Sequence, residues 1–349
     1  MPNQNLNERE KLILQAVVHL YITTAEPAGS RALVKRFDLD ISPATVRNVM
    51  ADLEDGGYLK QPHTSSGRVP TDQGYRYYVD YLMHVQAMTK TDRDRLEADL
   101  THQLNDADDI LRQTSHMLAL ISHQTGIVEA PSVSVAEVVH IELMPMQDRK
   151  IVVLVADNYG RVRTMVMGLT KTLSDDELHT LNRFLSDVLR ATPVDQLATT
   201  LRTKLSEFVD SRRKLAEQAL GVLDSIPTDS HHQLFLEGAT QLFEQPEFHN
   251  VERAREVFGL LEESDRVVEL LRAGVHTTDN QRSRVLIGSE DEKHGLEGIS
   301  VVSAPYRVGD KTAGMVGVLG PQRMPYSRLT GIVEYTAQML GRMLTRISG

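Results

Sequence analysis

One stretch, SPATVRNVMADLEDGGYLKQPHTSSGRVPTDQGYRYYVD (residues 42–80), limits what this chain can fold into more than any other. It reads as a short helix, a double-glycine stop, a hairpin rich in hydrogen-bond donors and a Tyr/Arg segment. Ser42 suits a helix N-cap and Pro43 the first helical position, where its missing N–H costs nothing. Val46, Val49, Met50 and Leu53 repeat at i, i+3, i+4, i+7, so one face is predicted to be buried. Ala44, Arg47, Asn48, Ala51 and Asp52 occupy the other face. Small residues with an Arg and an Asn suit major-groove reading, because Arg pairs with guanine and Asn with adenine through two hydrogen bonds each. Gly56-Gly57 supplies the left-handed residue that ends the helix.

The hairpin that follows has Tyr58, Leu59 and Lys60 as its first strand, Ser65-Ser66-Gly67 as its turn, and Arg68-Val69 as its return strand before Pro70. Its tip offers hydrogen-bond donors suited to phosphate oxygens. The expected DNA-contacting set is Ser42, Thr45, Arg47 and Asn48 on the helix, then Lys60, His63, Thr64, Ser65, Ser66, Gly67 and Arg68 on the hairpin, with Arg76 behind them. An ordinary polar surface hairpin is the competing interpretation; the helix ahead and Tyr75-Arg76-Tyr77-Tyr78 behind favour nucleic acid.

Upstream, Asn7 and Glu10 fit a capping box, and Leu14, Val17, Val18 and Tyr21 mark the buried stripe of a first helix. Ala25-Glu26-Pro27 breaks it. Ser30 is read as the cap of a second helix through Phe37, with Ala32 and Leu33 inward, and residues 38–41 turn into the Ser42 helix. Helix, helix, turn, helix and hairpin make a winged helix-turn-helix with the third helix in the groove.

Charge narrows the possibilities. Residues 1–84 hold 9 Lys+Arg against 10 Asp+Glu, so nearly all of the net −10 lies in the rest of the chain. An acidic body does not attract DNA in bulk, so contact needs a local basic patch such as Lys60, Arg68 and Arg76, and dimerisation to raise a moderate affinity. The chain has no cysteine, which excludes disulfides, thiolate catalysis and cysteine-bound zinc. With no signal pattern at the start and no apolar run of about 18 residues, it reads as soluble and cytoplasmic, with no membrane contact.

Residues 92–124 form a long helical pattern that suits a core helix ahead of a dimer seam or a connector. Strands are predicted at 133–143, 150–155 and 161–169, with Asp157-Asn158-Tyr159-Gly160 as a turn, and a second hairpin at 301–306 and 312–319 around Val308-Gly309-Asp310. These strands are expected to share one antiparallel sheet backed by helices, closed by a last amphipathic helix carrying Leu329, Ile332, Val333, Leu340, Met343, Leu344 and Ile347. Between them lie predicted helices at 174–190, 195–226 and 251–271 and a short strand near 232–238. A helical block that splits a sheet domain in this way suits an oligomerisation insert.

These residues resemble a known family. The 42–80 stretch is similar to the N-terminal region of the HrcA family of bacterial heat-inducible transcription repressors. The resemblance continues through FLEGATQLFEQPEF (235–248), IGSE (287–290), VVSAPY (301–306) and GMVGVLGPQRMPY (314–326) and covers nearly the whole chain. It implies a multidomain α+β chain: a winged helix-turn-helix domain over 1–84, a helical linker over 85–125, a GAF-like α/β sheet domain over 126–190 and 281–349, and an inserted, mostly helical dimerisation domain over 191–280. It also implies a homodimer on the CIRCE inverted repeat ahead of chaperone operons, released on heat stress and supported by the GroE (GroEL-type) chaperonin. By resemblance Arg47 and Asn48 lie in the recognition helix, His63, Ser66, Gly67 and Arg68 in the wing, and Asp72, Gly74 and Tyr75 close the motif.

Two rivals are weighed. GAF folds often bind small molecules, which would make the chain a ligand-sensing regulator with a pocket near the 301–319 hairpin. However, Gly314, Gly317 and Gly320 do not form a phosphate-cradling loop, and no polar cluster marks a cofactor site, so no cofactor is expected. An enzyme is the other rival. Ser211-Arg212-Arg213-Lys214 has SxxK spacing without its partner motifs, and His231-His232 lacks further ligands, so neither catalysis nor a metal is expected.

Overall fold

In the computed structural model of the chain, Asn7 Oδ1 accepts from the N–H groups of Arg9 and Glu10 while the Glu10 carboxylate accepts from the Asn7 N–H. Helix α1 (Glu8–Thr24) therefore starts where the capping box puts it. The structure describes residues 6–64, 66–101, 106–147, 149–168, 173–204, 217, 219–220, 222–223, 233–273, 275–276, 283–290 and 297–348. Ala25 in the left-handed region (φ 56°) ends α1. Helix α2 (Ser30–Phe37) is capped by Gly29 rather than Ser30, which is itself the first helical residue and is buried. Leu33 faces inward as expected; Ala32 does not, and Val34 and Phe37 pack in its place.

Helix α3 (Pro43–Asp55) buries Val46, Val49, Met50 and Leu53 against α1 and α2, and Gly57 (φ 80°) turns the chain out of it. Strands β1 (Leu59–Lys60) and β2 (Val69–Pro70) pair antiparallel, with Leu59 opposite Pro70 and Lys60 opposite Val69. A further bridge joins Arg68 to Ala28, so the hairpin is held to the α1–α2 connection as well. Helix α4 (Asp72–Tyr77) continues in a wider turn through Leu82, and the chain then crosses toward the larger body.

Among the described residues that body is built on two sheets, not one. Strands β3 (Thr125–Glu129), β7 (Leu234–Glu237), β8 (Val275–His276), β9 (Arg284–Ile287), β10 (Ile299–Val308) and β11 (Lys311–Pro321) form an antiparallel sheet in the order β7-β3-β11-β10-β9-β8. Strands β4 (Val138–Met146), β5 (Lys150–Asp157) and β6 (Val162–Gly168) form a separate meander. The expected single sheet joining 133–169 to 301–319 is thus corrected. The place beside β11 goes to β3, five residues that fall in the unassigned gap between the expected helix ending at 124 and the expected strand beginning at 133. Residues 132–136 are a turn rather than strand, with the N–H groups of Val135 and Ala136 donating to the Ser132 carbonyl.

Helix α5 (Lys90–Thr101) leads to α6 (Ala107–Ser122), which packs on β3 and β7. The second half of the expected 85–125 linker is therefore part of the core. Helix α11 (Tyr326–Ser348) lies on the same face across β10 and β11. The region expected as one helix over 251–271 is two, α9 (Val251–Glu262) and α10 (Ser264–Ala273), broken at Glu263. Val257, Leu260, Val267, Leu270 and Leu271 from this pair cover the opposite face, forming a second apolar cluster with Leu286, Val301 and Met315. Helix α7 (Asp175–Leu189), capped by Ser174, packs on the meander, where Asn182 bonds both the N–H (2.7 Å) and the carbonyl (2.9 Å) of Leu143. Helix α8 (Leu197–Lys204) begins the region expected as helix to 226; most of the remainder, with Ser65, the SxxK tetrad and His231-His232, lies outside the described residues.

Since Glu129 pairs with Leu234 across β3 and β7, the chain leaves the large sheet after residue 129 and returns at 234. The excursion is therefore residues 130–233. The expected insert at 191–280 does not follow the sheets, because β7, α9, α10 and β8 all belong to the six-stranded layer.

Candidate nucleic-acid interface

The site grows from the cap of α3. Ser42 Oγ accepts from the Thr45 N–H at 3.1 Å and lies 2.9 Å from Thr45 Oγ1, so the two hydroxyls are engaged with each other at the start of the helix. The next turn carries Arg47 and Asn48, both exposed on the side away from the buried stripe. Neither has a hydrogen bond or ion pair among the described residues. Two long polar side chains thus project from the first half of a helix whose back is fixed in a core.

Beside them stands the hairpin. Lys60, His63 and Thr64 are exposed. Gln61, which the sequence reading passed over, organises the turn: its Nε2 donates to the carbonyls of Thr64 and Ser66, each at 3.0 Å. Ser66 Oγ donates to the His63 carbonyl at 2.7 Å and accepts from the His63 N–H at 3.0 Å, so this hydroxyl closes the turn rather than facing outward. Gly67 packs against the backbone of Pro27 and Ala28 so closely that a Cβ would overlap the Ala28 carbonyl. The ladder there is two-way, Ala28 N–H to Arg68 carbonyl at 2.8 Å and Arg68 N–H to Ala28 carbonyl at 3.0 Å.

Two arginines of the expected set are placed differently. Arg68 Nη2 sits 2.7 Å from a Glu54 carboxylate oxygen, which ties the return strand to the last turn of α3. Arg76 does not face the α3 side at all: its Nε donates to Glu290 at 2.8 Å, its Nη2 to the Val285 carbonyl at 2.6 Å and its Nη1 to Asp80 at 3.2 Å. Burial works to lower the Arg76 pKa, but the hydrogen bond and charge of Glu290, with those of Asp80, outweigh it and leave the pKa above its ordinary value. The partners of both arginines were invisible in the basic patch as read from sequence. Glu54 lies 14 residues from Arg68 on another element, and Glu290 is 214 residues from Arg76.

The surface that remains comprises Arg47 and Asn48 from α3, Lys60, His63 and Thr64 from the hairpin, with Ser42 and Thr45 at the helix start. It is cationic and amide-bearing without a buried acid, which suits polyanion contact and base-edge hydrogen bonding rather than proton transfer. Among the described residues, no group of three or more His, Asp and Glu is placed to hold a metal, and no helix is long and apolar enough to cross a membrane.

Residues 108–330 match the family model described as the HrcA protein C-terminal domain. The chain is 41% identical to the heat-inducible transcription repressor HrcA of Geobacter sulfurreducens over 97% of its own length and 98% of that protein's. It is 34% identical to the repressor of the same name from Desulforamulus reducens, over 98% of each chain. Among solved structures, a crystal structure titled only as a hypothetical protein aligns over 98% of this chain and 100% of its own, with a TM-score of 0.63 at 21% identity, a likeness of fold.

Proposed function

The chain belongs to the HrcA family of heat-inducible transcription repressors, and from that premise we propose that it represses chaperone operons by binding the CIRCE inverted repeat as a homodimer. The single observation that carries this reading is the exposed pair Arg47 and Asn48 on α3, opposite the buried Val46, Val49, Met50 and Leu53 and beside the β1–β2 hairpin. Helices α1–α3 and that hairpin are read as a winged helix-turn-helix, with α3 in the major groove and Lys60, His63 and Thr64 on the flanking backbone. Ser65 completes the proposed wing tip by its position in the sequence.

The six-stranded sheet with α6 and α11 is read as the GAF-like domain. The excursion 130–233 is read as the dimerising insert, in place of 191–280. Its meander supports this: Met146, Val162 and Val166 lie on one face of the three-stranded sheet and are more than half exposed, beside His140, Glu142 and Lys150, a mixed apolar and polar face of the kind that a second copy covers. Two α3 helices related by the dimer axis would then meet the two halves of an inverted repeat. GroE support and release on heat stress complete the proposal on family likeness.

Fluorescence anisotropy on a duplex carrying the chaperonin-operon inverted repeat, with a scrambled competitor and a salt series, tests it. Competitor-resistant binding at two chains per duplex is the expected result. Equal binding to repeat and scrambled duplex, with and without added chaperonin, overturns it. A second reading, a regulator that senses a small molecule, draws on one observation: a groove of about 860 Å³ between β10 and α11, bordered by Arg307, Gln338, Arg342 and Thr345. Native mass spectrometry of the protein as purified decides whether anything occupies it.

A further inference from the structure

The polar contacts between the three-helix unit and the large sheet converge on one turn of α4. Asp72 and Arg76 are four residues apart, on the same side of that helix. Asp72 accepts from the Ser289 N–H at 2.9 Å through one oxygen and from Gln322 Nε2 at 2.8 Å through the other. Arg76 meets Glu290 with two of its nitrogens and the Val285 carbonyl with a third contact. Glu290 also accepts from the Ile287 N–H at 2.7 Å, so the carboxylate that receives Arg76 is fixed by its own turn. Gly288 sits inside this turn at φ 53°, where a Cβ would run into the Asp72 carboxylate and the Gln322 amide. One turn of the large body is shaped around two side chains of α4. The rings of Tyr75 and Tyr326 meet edge-on beside it, with centroids 5.9 Å apart.

A second attachment lies elsewhere. The connecting segment crosses the start of α11, where the Gln86 N–H donates to the Ser327 carbonyl at 2.9 Å and Ser327 Oγ donates to the His84 carbonyl. A body held at one strap can still rotate about it; a second, separate anchor removes that freedom. The path from this anchor to the candidate reading face is short and stiff. Thr71, the cap of α4, donates through Oγ1 to the Gly57 carbonyl at 2.6 Å, and its N–H donates to the Tyr58 carbonyl at 3.1 Å. Gly57 lies two residues past the end of α3, next to its C-cap Gly56.

We propose that Asp72 and Arg76 form a two-point clasp on Ser289, Glu290 and Gln322 that sets the angle of α3 against the sheet domain, so that the dimer distinguishes the spacing between the two halves of its operator. Arg76 is on this account a positioning residue and not a DNA contact. The inference rests on the reading of the chain as a dimeric DNA-binding repressor. Bivalent binding gains affinity only when both halves are engaged at once, and a fixed angle allows that at one spacing.

Anisotropy with four proteins tests it: the wild type, Arg76→Gln, Glu290→Gln and the double variant. Three labelled duplexes are needed: the natural inverted repeat, the same repeat with its spacer lengthened by about half a helical turn (~5 base pairs), and a single half-site. The wild type is expected to prefer the natural spacer by about 100-fold or more, and each variant by less than about tenfold. The double variant should match the singles, since either change opens the same clasp. Half-site affinity should stay within about twofold of wild type throughout, as the reading face is untouched. Asp72→Asn, which weakens the other point without altering Arg76, should relax the spacing preference in the same way. Unchanged spacing preference in the variants overturns the clasp, and so does a loss of half-site affinity that parallels the loss of preference. A wild type that binds repeat and half-site equally defeats the dimeric reading itself, and the clasp with it.

Discussion

The guanidinium of Arg68 and the carboxylate of Glu54 meet at 2.7 Å, and this contact joins the hairpin's return strand to the C-terminal turn of the helix that carries Arg47 and Asn48. The same arginine holds Ala28 through its backbone, so it is fixed from two sides. A residue placed this way aims the hairpin.

If so, Glu54→Gln and Arg68→Ala should weaken operator binding to similar extents, and the double variant should be no worse than either. An Arg68 that contacted phosphate directly would behave differently: Arg68→Ala alone would reduce the salt slope by about one. Binding measured from 50 to 200 mM salt separates the two. Folding stability should fall by only about 0.2–1 kcal/mol, because the pair is partly solvated.

Arg47→Ala should cost about 1–3 kcal/mol on the cognate repeat and relax preference at one base pair. Lys60→Ala should weaken all duplexes alike and reduce the salt slope by about one. A panel of single-base variants of the repeat distinguishes the two patterns. Uniform loss with Arg47→Ala would remove it from base reading.

Gly67→Ala places a methyl group against the Ala28 backbone, which has no side chain to swing aside. Overpacking of this kind costs about 1–3 kcal/mol, felt first as separation of the hairpin from the α1–α2 connection. Hydrogen exchange at the Ala28 and Arg68 amides should quicken before global stability changes.

Glu129 is fully buried on β3, where its carboxylate accepts from the Met315 N–H at 3.0 Å and from Arg272 at 2.5 Å. Glu129→Gln removes the charge that Arg272 faces and should destabilise the protein by about 1–3 kcal/mol, below the range for a wholly buried pair because Arg272 is half exposed. Urea unfolding of the two proteins at neutral pH measures the difference.

His19 lies 2.9 Å from the Tyr78 hydroxyl, and burial lowers its pKa below 6.5. The sign follows from linkage. The folded state binds the proton less readily than the unfolded chain, so the His19 contribution is intact above pH 6.5 and is lost as the pH falls through the lower, folded-state value. Thermal melts between pH 7.5 and 5 should show this decline, and His19→Gln should flatten it.

Local features were legible in the sequence and distant pairings were not. The capping box at Asn7, the Ser42 cap and the α3 stripe depend on residues within a few positions of one another, and each lies where its pattern puts it. Helix α2 starts at Ser30, one residue earlier than a Ser30 cap would put it, because Gly29 already holds the extended conformation that the cap position requires. Alternation identified β4, β5 and β6 as strands, yet it carries no information on which sheet a strand joins. That choice rests on β3, whose short TGIVE sequence is buried along its whole length and lacks alternation. Arg76 was placed with DNA for a related reason: a basic residue near other basic residues looks like part of a patch until its acid appears from another part of the chain.

The paired Glu129 and Leu234 have one more consequence. Residues 130 to 233 begin and end on hydrogen-bonded neighbours, so their two ends are about 5 Å apart and the excursion is, to the large sheet, no wider than a tight turn. Such an element is exchangeable cargo. A change in its length alone would leave the pairing of β3 with β7 in register, because that pairing fixes only its two ends.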